Sequence, residues 1–170
     1  MTANVAGAQP LLLLDIDGVI SLFGFDPRRP PPGRFVLVDG IVHFLSAAVA
    51  ALLAERSRSF VLVWCSGWEE KADEVLPSAL GLPPGLAHLS FRTPAAETAA
   101  PRHWKLDAID AFAGPHRALA WVDDDHDASC TVWAAARPGQ TLLVPTWPAV
   151  GLTSGHVAEL LEWRRGLTAP

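Results

Sequence analysis

Four consecutive leucines, Leu11 to Leu14, run straight into Asp15-Ile16-Asp17-Gly18. A short unbroken apolar run is the pattern of a strand buried on both faces, and such strands belong to parallel sheets with helices on each side. Carboxylates directly beyond it stand where open α/β sheets bind ligands, outside the carboxyl ends of the strands. The feature recurs twice. Phe60 to Trp64 leads into Cys65-Ser66-Gly67, and Ala118 to Val122 leads into Asp123-Asp124-Asp125-His126-Asp127. Three strand ends therefore carry carboxylates and one hydroxyl.

Leu86 to Phe91 reads as a weaker strand and Thr141 to Val144 as a fifth. Helices are expected over Trp68–Leu80, ended by Gly81 and Pro83-Pro84, over Arg102–Phe112, and over Ser129–Ala136. A last one starts at Thr153 or Ser154 and ends near Arg165-Gly166. A further helix, capped by Asp39, is expected from Ile41, Val42, Leu45, Ala48, Val49 and Leu52, which recur at three- and four-residue steps; it should fade near Arg56 to Ser59. Gly18 to Gly33 is loop-like, because Pro27, Pro30, Pro31 and Pro32 exclude a regular helix. Strands alternating with helices need crossover connections. The expected fold is a three-layer, Rossmann-like α/β domain with a five-stranded parallel sheet. Residues 1–10 read as a loose tail and residues 11–170 as one domain.

Composition narrows the classes further. Half of the 170 residues are hydrophobic and 18% are charged, which excludes disorder. No apolar run approaches the ~20 residues of a membrane span. The N-terminus lacks the basic start and long apolar stretch of a signal peptide. Cys65 and Cys130 imply no disulfide framework, so a reducing cytoplasm is the expected location. A net charge of −5 with dispersed basic residues disfavours long polynucleotide partners, which are held by phosphate neutralisation. Phosphorylated oligonucleotide ends stay open as substrates.

The clustered carboxylates suit Mg²⁺, which takes oxygen ligands and bridges protein carboxylates to a substrate phosphate. Without a cation such a cluster would repel phosphate. An Asp can also attack phosphorus and form an aspartyl-phosphate, which divides hydrolysis into two easier displacements. Asp17, two residues on, could give the leaving group its proton and later activate water. Ser66, with N–H groups following Gly67, could bind a phosphoryl oxygen. Of the two lysines, Lys105 could hold nucleophile and phosphate by charge, whereas Lys71, after Glu69-Glu70, reads as a solvated helix residue.

This order of parts resembles the haloacid dehalogenase superfamily of phosphatases. The matching motifs are Leu14-Asp15-Ile16-Asp17-Gly18-Val19-Ile20, Ser66, Lys105 and the acidic run after the fourth strand, over about residues 11–150. The resemblance implies Asp15 as nucleophile, and Asp17 as general acid/base with its carbonyl on Mg²⁺. Ser66 and Lys105 take the family's Ser/Thr and Lys roles. The fourth motif has two readings. Adjacent acids, Asp123 with Asp124 as metal ligand, are favoured over acids four apart, Asp123 and Asp127. Asp125 and Asp127 otherwise read as helix-capping or solvated acids, and His126 as an exposed loop histidine.

Neither the segment before Asp39 nor the one between Ser66 and Lys105 has room for a folded cap domain. A short flap over about residues 19–38 remains, and Arg28, Arg29 and Arg34 are its candidate substrate contacts. Most tryptophans are expected in the core. Trp68 is the exception, as a substrate-stacking surface. The leading expectation is a Mg²⁺-dependent phosphomonoester hydrolase. A catalytically idle domain that binds a phosphorylated ligand or protein is the alternative. Carbon–halogen hydrolysis is disfavoured by Asp17, which that reaction does not need.

Overall fold

The structure is a computed structural model, and it describes residues 9–56, 59–91 and 102–168. The tail expected over residues 1–10 thus lies, up to residue 8, outside the described residues. Twelve elements follow in order: β1 (Leu11–Leu14), β2 (Gly33–Val38), β3 (Ile41–Ser46), α1 (Ala47–Arg56), β4 (Val61–Trp64), α2 (Glu70–Leu80), β5 (Ala87–His88), α3 (Leu106–Ala113), β6 (Leu119–Asp123), α4 (Ala128–Ala136), β7 (Thr141–Pro145) and α5 (Ser154–Thr168).

Five strands form one parallel sheet in the order β5-β4-β1-β6-β7. The leucine run lies at its centre and explains the layering. Leu12 and Leu14 join a core with Val49 and Leu53 of α1, Leu76 and Leu80 of α2, and Leu160 of α5. Leu11 and Leu13 point the other way, into a second core with Leu106 and Ile109 of α3 and Cys130 of α4. Alternation along one strand therefore feeds both faces, which is why the run contains no polar position. The chain moves from β1 outward through β4 and β5, then returns to β6 on the opposite side of β1. The strand order reverses between β1 and β6, and ligand sites of such sheets lie beyond that point. Asp15 and Asp123 stand there.

The segment expected to form one helix from residue 41 is instead β3 followed by α1. β2 and β3 make a separate antiparallel hairpin, with Val36 opposite His43 and Val38 opposite Ile41. Asp39 does not cap a helix. Asp39 (φ 51°) and Gly40 (φ 81°) form the two-residue turn of the hairpin, and left-handed conformations at both positions match the strands' twist. The apolar positions from 41 onward follow the helical steps, and the turn overrides them. Two backbone bonds fix the hairpin to the loop after β1: Leu22 N–H to the Phe44 carbonyl (2.8 Å) and Ser46 N–H to the Ile20 carbonyl (3.0 Å). These bonds bring β3 beside Asp17. The expected strand over Leu86–Phe91 shortens to two residues, and no described helix is long and apolar enough to cross a membrane.

Candidate active site

Asp15, Asp17, Ser66, Gly67, Trp68, Lys105, Asp123 and Asp124 all line one open cleft of about 440 Å³, together with His103, Trp104 and Asp125. Three strand ends and the start of α3 supply these groups, so residues up to about 110 positions apart in sequence meet because their strands are neighbours.

Lys105 is the electrostatic centre. Its Nζ lies 2.9 Å from Asp15 Oδ2 and 2.7 Å from Asp123 Oδ2, and its side chain is 4% exposed. Burial works against the ammonium, but Asp15 and Asp123 outweigh it and raise its pKa. Asp123 is fully buried and also accepts from Trp121 Nε1 (2.9 Å) and the Asp125 N–H (3.0 Å). Asp15 receives the Ile16 N–H on Oδ1 at 2.8 Å. Burial and the Asp123 charge still push its pKa up to about 7 against the opposing pull of Lys105. Asp124 is raised in the same way, by burial and then by Asp123. Three carboxylates thus face one ammonium, and burial with the surplus negative charge raises the pKa of two of them.

Ligand oxygens of Asp15, Asp123 and Asp124 lie within 4.8 Å of one another. Gly18 makes that closeness possible in two ways. Its φ of +75° favours glycine, and a Cβ there would stand 2.3 Å from Asp124 Cγ. Thr146, just past β7, ties the loops together. Its hydroxyl donates to the Gly18 carbonyl (2.9 Å) and its N–H to the Asp123 carbonyl (3.0 Å). Nothing in the local sequence singles out Thr146; only the pairing of β7 with β6 brings it there.

Asp17 has different surroundings. Its side chain is 48% exposed, and its two oxygens face two ring nitrogens: Trp68 Nε1 donates to Oδ2 at 3.0 Å, and His43 Nδ1 lies 3.3 Å from Oδ1. His43 also shares Nδ1 with the Ser21 hydroxyl (3.2 Å) and meets the Trp68 ring edge-on at 4.5 Å. His43 comes from β3, so its absence from the sequence-derived site follows from reading that stretch as a helix. The Asp39-Gly40 turn is the signal that could have found it.

Asp127 accepts from the N–H groups of Ser129 (2.8 Å) and Cys130 (3.2 Å) and from the Ser129 hydroxyl (2.6 Å). It caps α4, whereas Asp124 faces the cleft. His126 is not an exposed loop histidine: its ring packs edge-on against Trp121 at 4.5 Å, and burial lowers its pKa to about 4. Lys71 pairs with Asp39 at the hairpin tip. Arg28 pairs with Asp26 at 3.1 Å, Arg34 donates to the Ala79 carbonyl at 3.2 Å, and Arg28, Arg29 and Arg34 are not among the cleft-lining residues. Trp64 and Trp121 are core residues as expected, but Trp104 and Trp147 are 54% and 71% exposed.

A buried carboxylate at the end of the central strand, an acid two residues on, a hydroxyl after β4, a lysine before α3 and acids after β6 form a hydrolase-type constellation. No curated protein matches the chain. The family model described as the HAD domain in Swiss Army Knife RNA repair proteins matches residues 11–157, and the chain belongs to that family, within the haloacid dehalogenase superfamily.

Proposed function

We propose that this domain is a Mg²⁺-dependent phosphomonoesterase that acts on phosphorylated RNA ends through an aspartyl-phosphate on Asp15. The observation that carries the reading is the Lys105 bridge between Asp15 and Asp123, set in a cluster of three carboxylates at the switch point of the sheet. The donor set fits a hard divalent cation, since it is all oxygen and carries a surplus of negative charge. Asp15, Asp124 and the Asp17 carbonyl would hold it, with Asp123 behind them. When bound, the ion neutralises the surplus charge, keeps Asp15 ionised and draws the substrate phosphate into the cleft.

The chain's own residues do the rest. Asp15 attacks phosphorus, the ester P–O bond breaks, and the leaving oxygen takes a proton from Asp17. Asp17 then accepts a proton from water as the water oxygen attacks phosphorus, the Asp15–phosphorus bond breaks and inorganic phosphate leaves. Ser66 donates its hydroxyl to a phosphoryl oxygen, and Lys105 holds Asp15 in line. The half-exposed side chain of Asp17 stands where a bulky leaving group can reach it.

An RNA end is favoured on two grounds. The matching family is described from RNA repair proteins, and the cleft is open enough for a terminal phosphate to enter while the strand stays outside. Contact with one end reconciles a nucleic-acid substrate with a net charge of −5. Cytoplasmic location belongs to the same proposal, since Cys65 and Cys130 are both free and buried. Phosphate release from 5′- and 3′-phosphorylated oligoribonucleotides tests the reading. Release in Mg²⁺ that stops in EDTA is expected. No release from either end, or equal release in EDTA, would overturn it.

A further inference from the structure

Trp104 presents a large apolar surface to the cleft, and its contact with the proposed chemistry is Lys105 Nζ over the ring, 5.1 Å from the centroid. Trp104 is 54% exposed in a wall made mostly of carboxylates, with Ser66, Gly67, Trp68, His103 and Lys105. Trp68, the other indole there, has its N–H on Asp17 and its ring against His43. Trp104 is held in place from behind: Phe91 packs on it at 4.6 Å, and His103 lies nearly parallel at 6.1 Å. His103 in turn meets the buried Trp121 at 5.3 Å. A ladder of rings thus runs from the core to an open indole, so its orientation is fixed before anything binds and little rotamer entropy is lost on binding.

Its position relative to the reacting atoms is defined. Lys105 Nζ lies 5.1 Å from the Trp104 ring centroid and 2.9 Å from Asp15 Oδ2, so the indole is at most about 8 Å from the attacking carboxylate. A nucleoside places its base at a comparable distance from its own phosphate. Gly67 lies at the edge of the indole, where an added Cβ would meet Trp104 Cη2 at an ordinary contact of 3.9 Å.

We propose that Trp104 is the specificity surface of the cleft, on which the nucleobase carrying the scissile phosphate stacks. The inference rests on the phosphomonoesterase reading and adds the part of the substrate that is recognised. Stacking on an aromatic side chain tolerates any base, since every base has a π-face. The cleft would therefore select nucleotide ends over sugar or protein phosphates without reading sequence.

The test compares a phosphorylated oligoribonucleotide with the same strand whose terminal, phosphate-bearing nucleotide is abasic. In the wild type, kcat/KM should favour the base-bearing strand. That preference should fall roughly tenfold in Trp104→Ala and largely persist in Trp104→Phe, which keeps a stacking face. A wild type with no preference, or a preference unchanged in Trp104→Ala, would overturn the proposal. Affinity of Asp15→Asn for the two strands in Mg²⁺, read by fluorescence anisotropy, gives the same comparison without turnover. Absence of hydrolysis of either strand by the wild type would overturn the phosphomonoesterase. Equal binding of both strands by Asp15→Asn would overturn the stacking surface alone. Thermal melting of each variant separates misfolding from lost recognition.

Discussion

Asp15 and Asp17 are two residues apart and chemically identical, yet the molecule places them in opposite surroundings. Asp15 is buried among charges, with an ammonium at 2.9 Å and a second carboxylate sharing it. Asp17 is half exposed, and the groups holding it are the rings of Trp68 and His43. A nucleophile must stay fixed and be charged as it reacts; a general acid/base must reach a leaving group and exchange its proton with it. Ring nitrogens orient the Asp17 carboxylate while leaving it open to the cleft. The difference comes from tertiary contacts, since the leucine run delivers both carboxylates to the same strand end.

Breaking the charged side should have the largest effect. Asp15→Asn keeps the shape and loses the attacking oxygen, so turnover should fall roughly 10³-fold or more with the fold intact; steady-state kinetics and circular dichroism check both parts. Lys105→Met should act first on stability. It leaves Asp15 and Asp123 buried and uncompensated, a situation that costs about 3 kcal/mol or more, or roughly 10 °C in Tm for a domain of this size. A melting point equal to that of the wild type would show that the bridge is not what holds the two strand ends.

The Asp17 side should respond more gently. His43→Ala removes one of two groups that orient the carboxylate, and kcat should drop about tenfold with KM little changed. His43→Gln keeps a donor at that place and should recover part of the loss. A fall in both kcat and KM binding terms, or none, would mean that His43 only packs against Trp68.

The smallest effect separates the two acids of the last motif. Asp127→Ala removes the α4 cap and should lower Tm by about 3 °C at neutral pH without altering the Mg²⁺ requirement, whereas Asp124→Ala should weaken Mg²⁺ binding and raise the Mg²⁺ concentration needed for activity. The hydrogen bonds from Ser129 hold the Asp127 carboxyl below its ordinary 3.8. Its stabilisation is therefore present above about that value and fades as pH falls through the lower folded one. Melting curves of wild type and Asp127→Ala should converge in acid.

The charged side was legible in the sequence and the Asp17 side only in part, for a physical reason. Strands buried on both faces must be apolar without interruption, so Leu11–Leu14 and Leu119–Val122 announce themselves and the polar residues beyond them follow. The hairpin carries no such pressure. Ile41, Val42 and Leu45 recur at helical steps and do not alternate as a half-buried strand would, and what decides is a two-residue turn that local apolar periodicity does not weigh. His43 and Thr146 reach the cleft through strand pairing between distant segments, and no spacing along the chain encodes that.

The division of labour between the two aspartates is tested most directly by the first turnover of Asp17→Asn with p-nitrophenyl phosphate. That leaving group departs without a proton, so the first displacement needs only Asp15, while the second still needs a base. Rapid mixing in Mg²⁺ should give a burst of p-nitrophenolate equal to the enzyme present, followed by a slow phase, with the phosphoryl group on the peptide that contains Asp15. Linear release with no burst, and no phosphoryl group on that peptide, would contradict the assignment of nucleophile and base to Asp15 and Asp17.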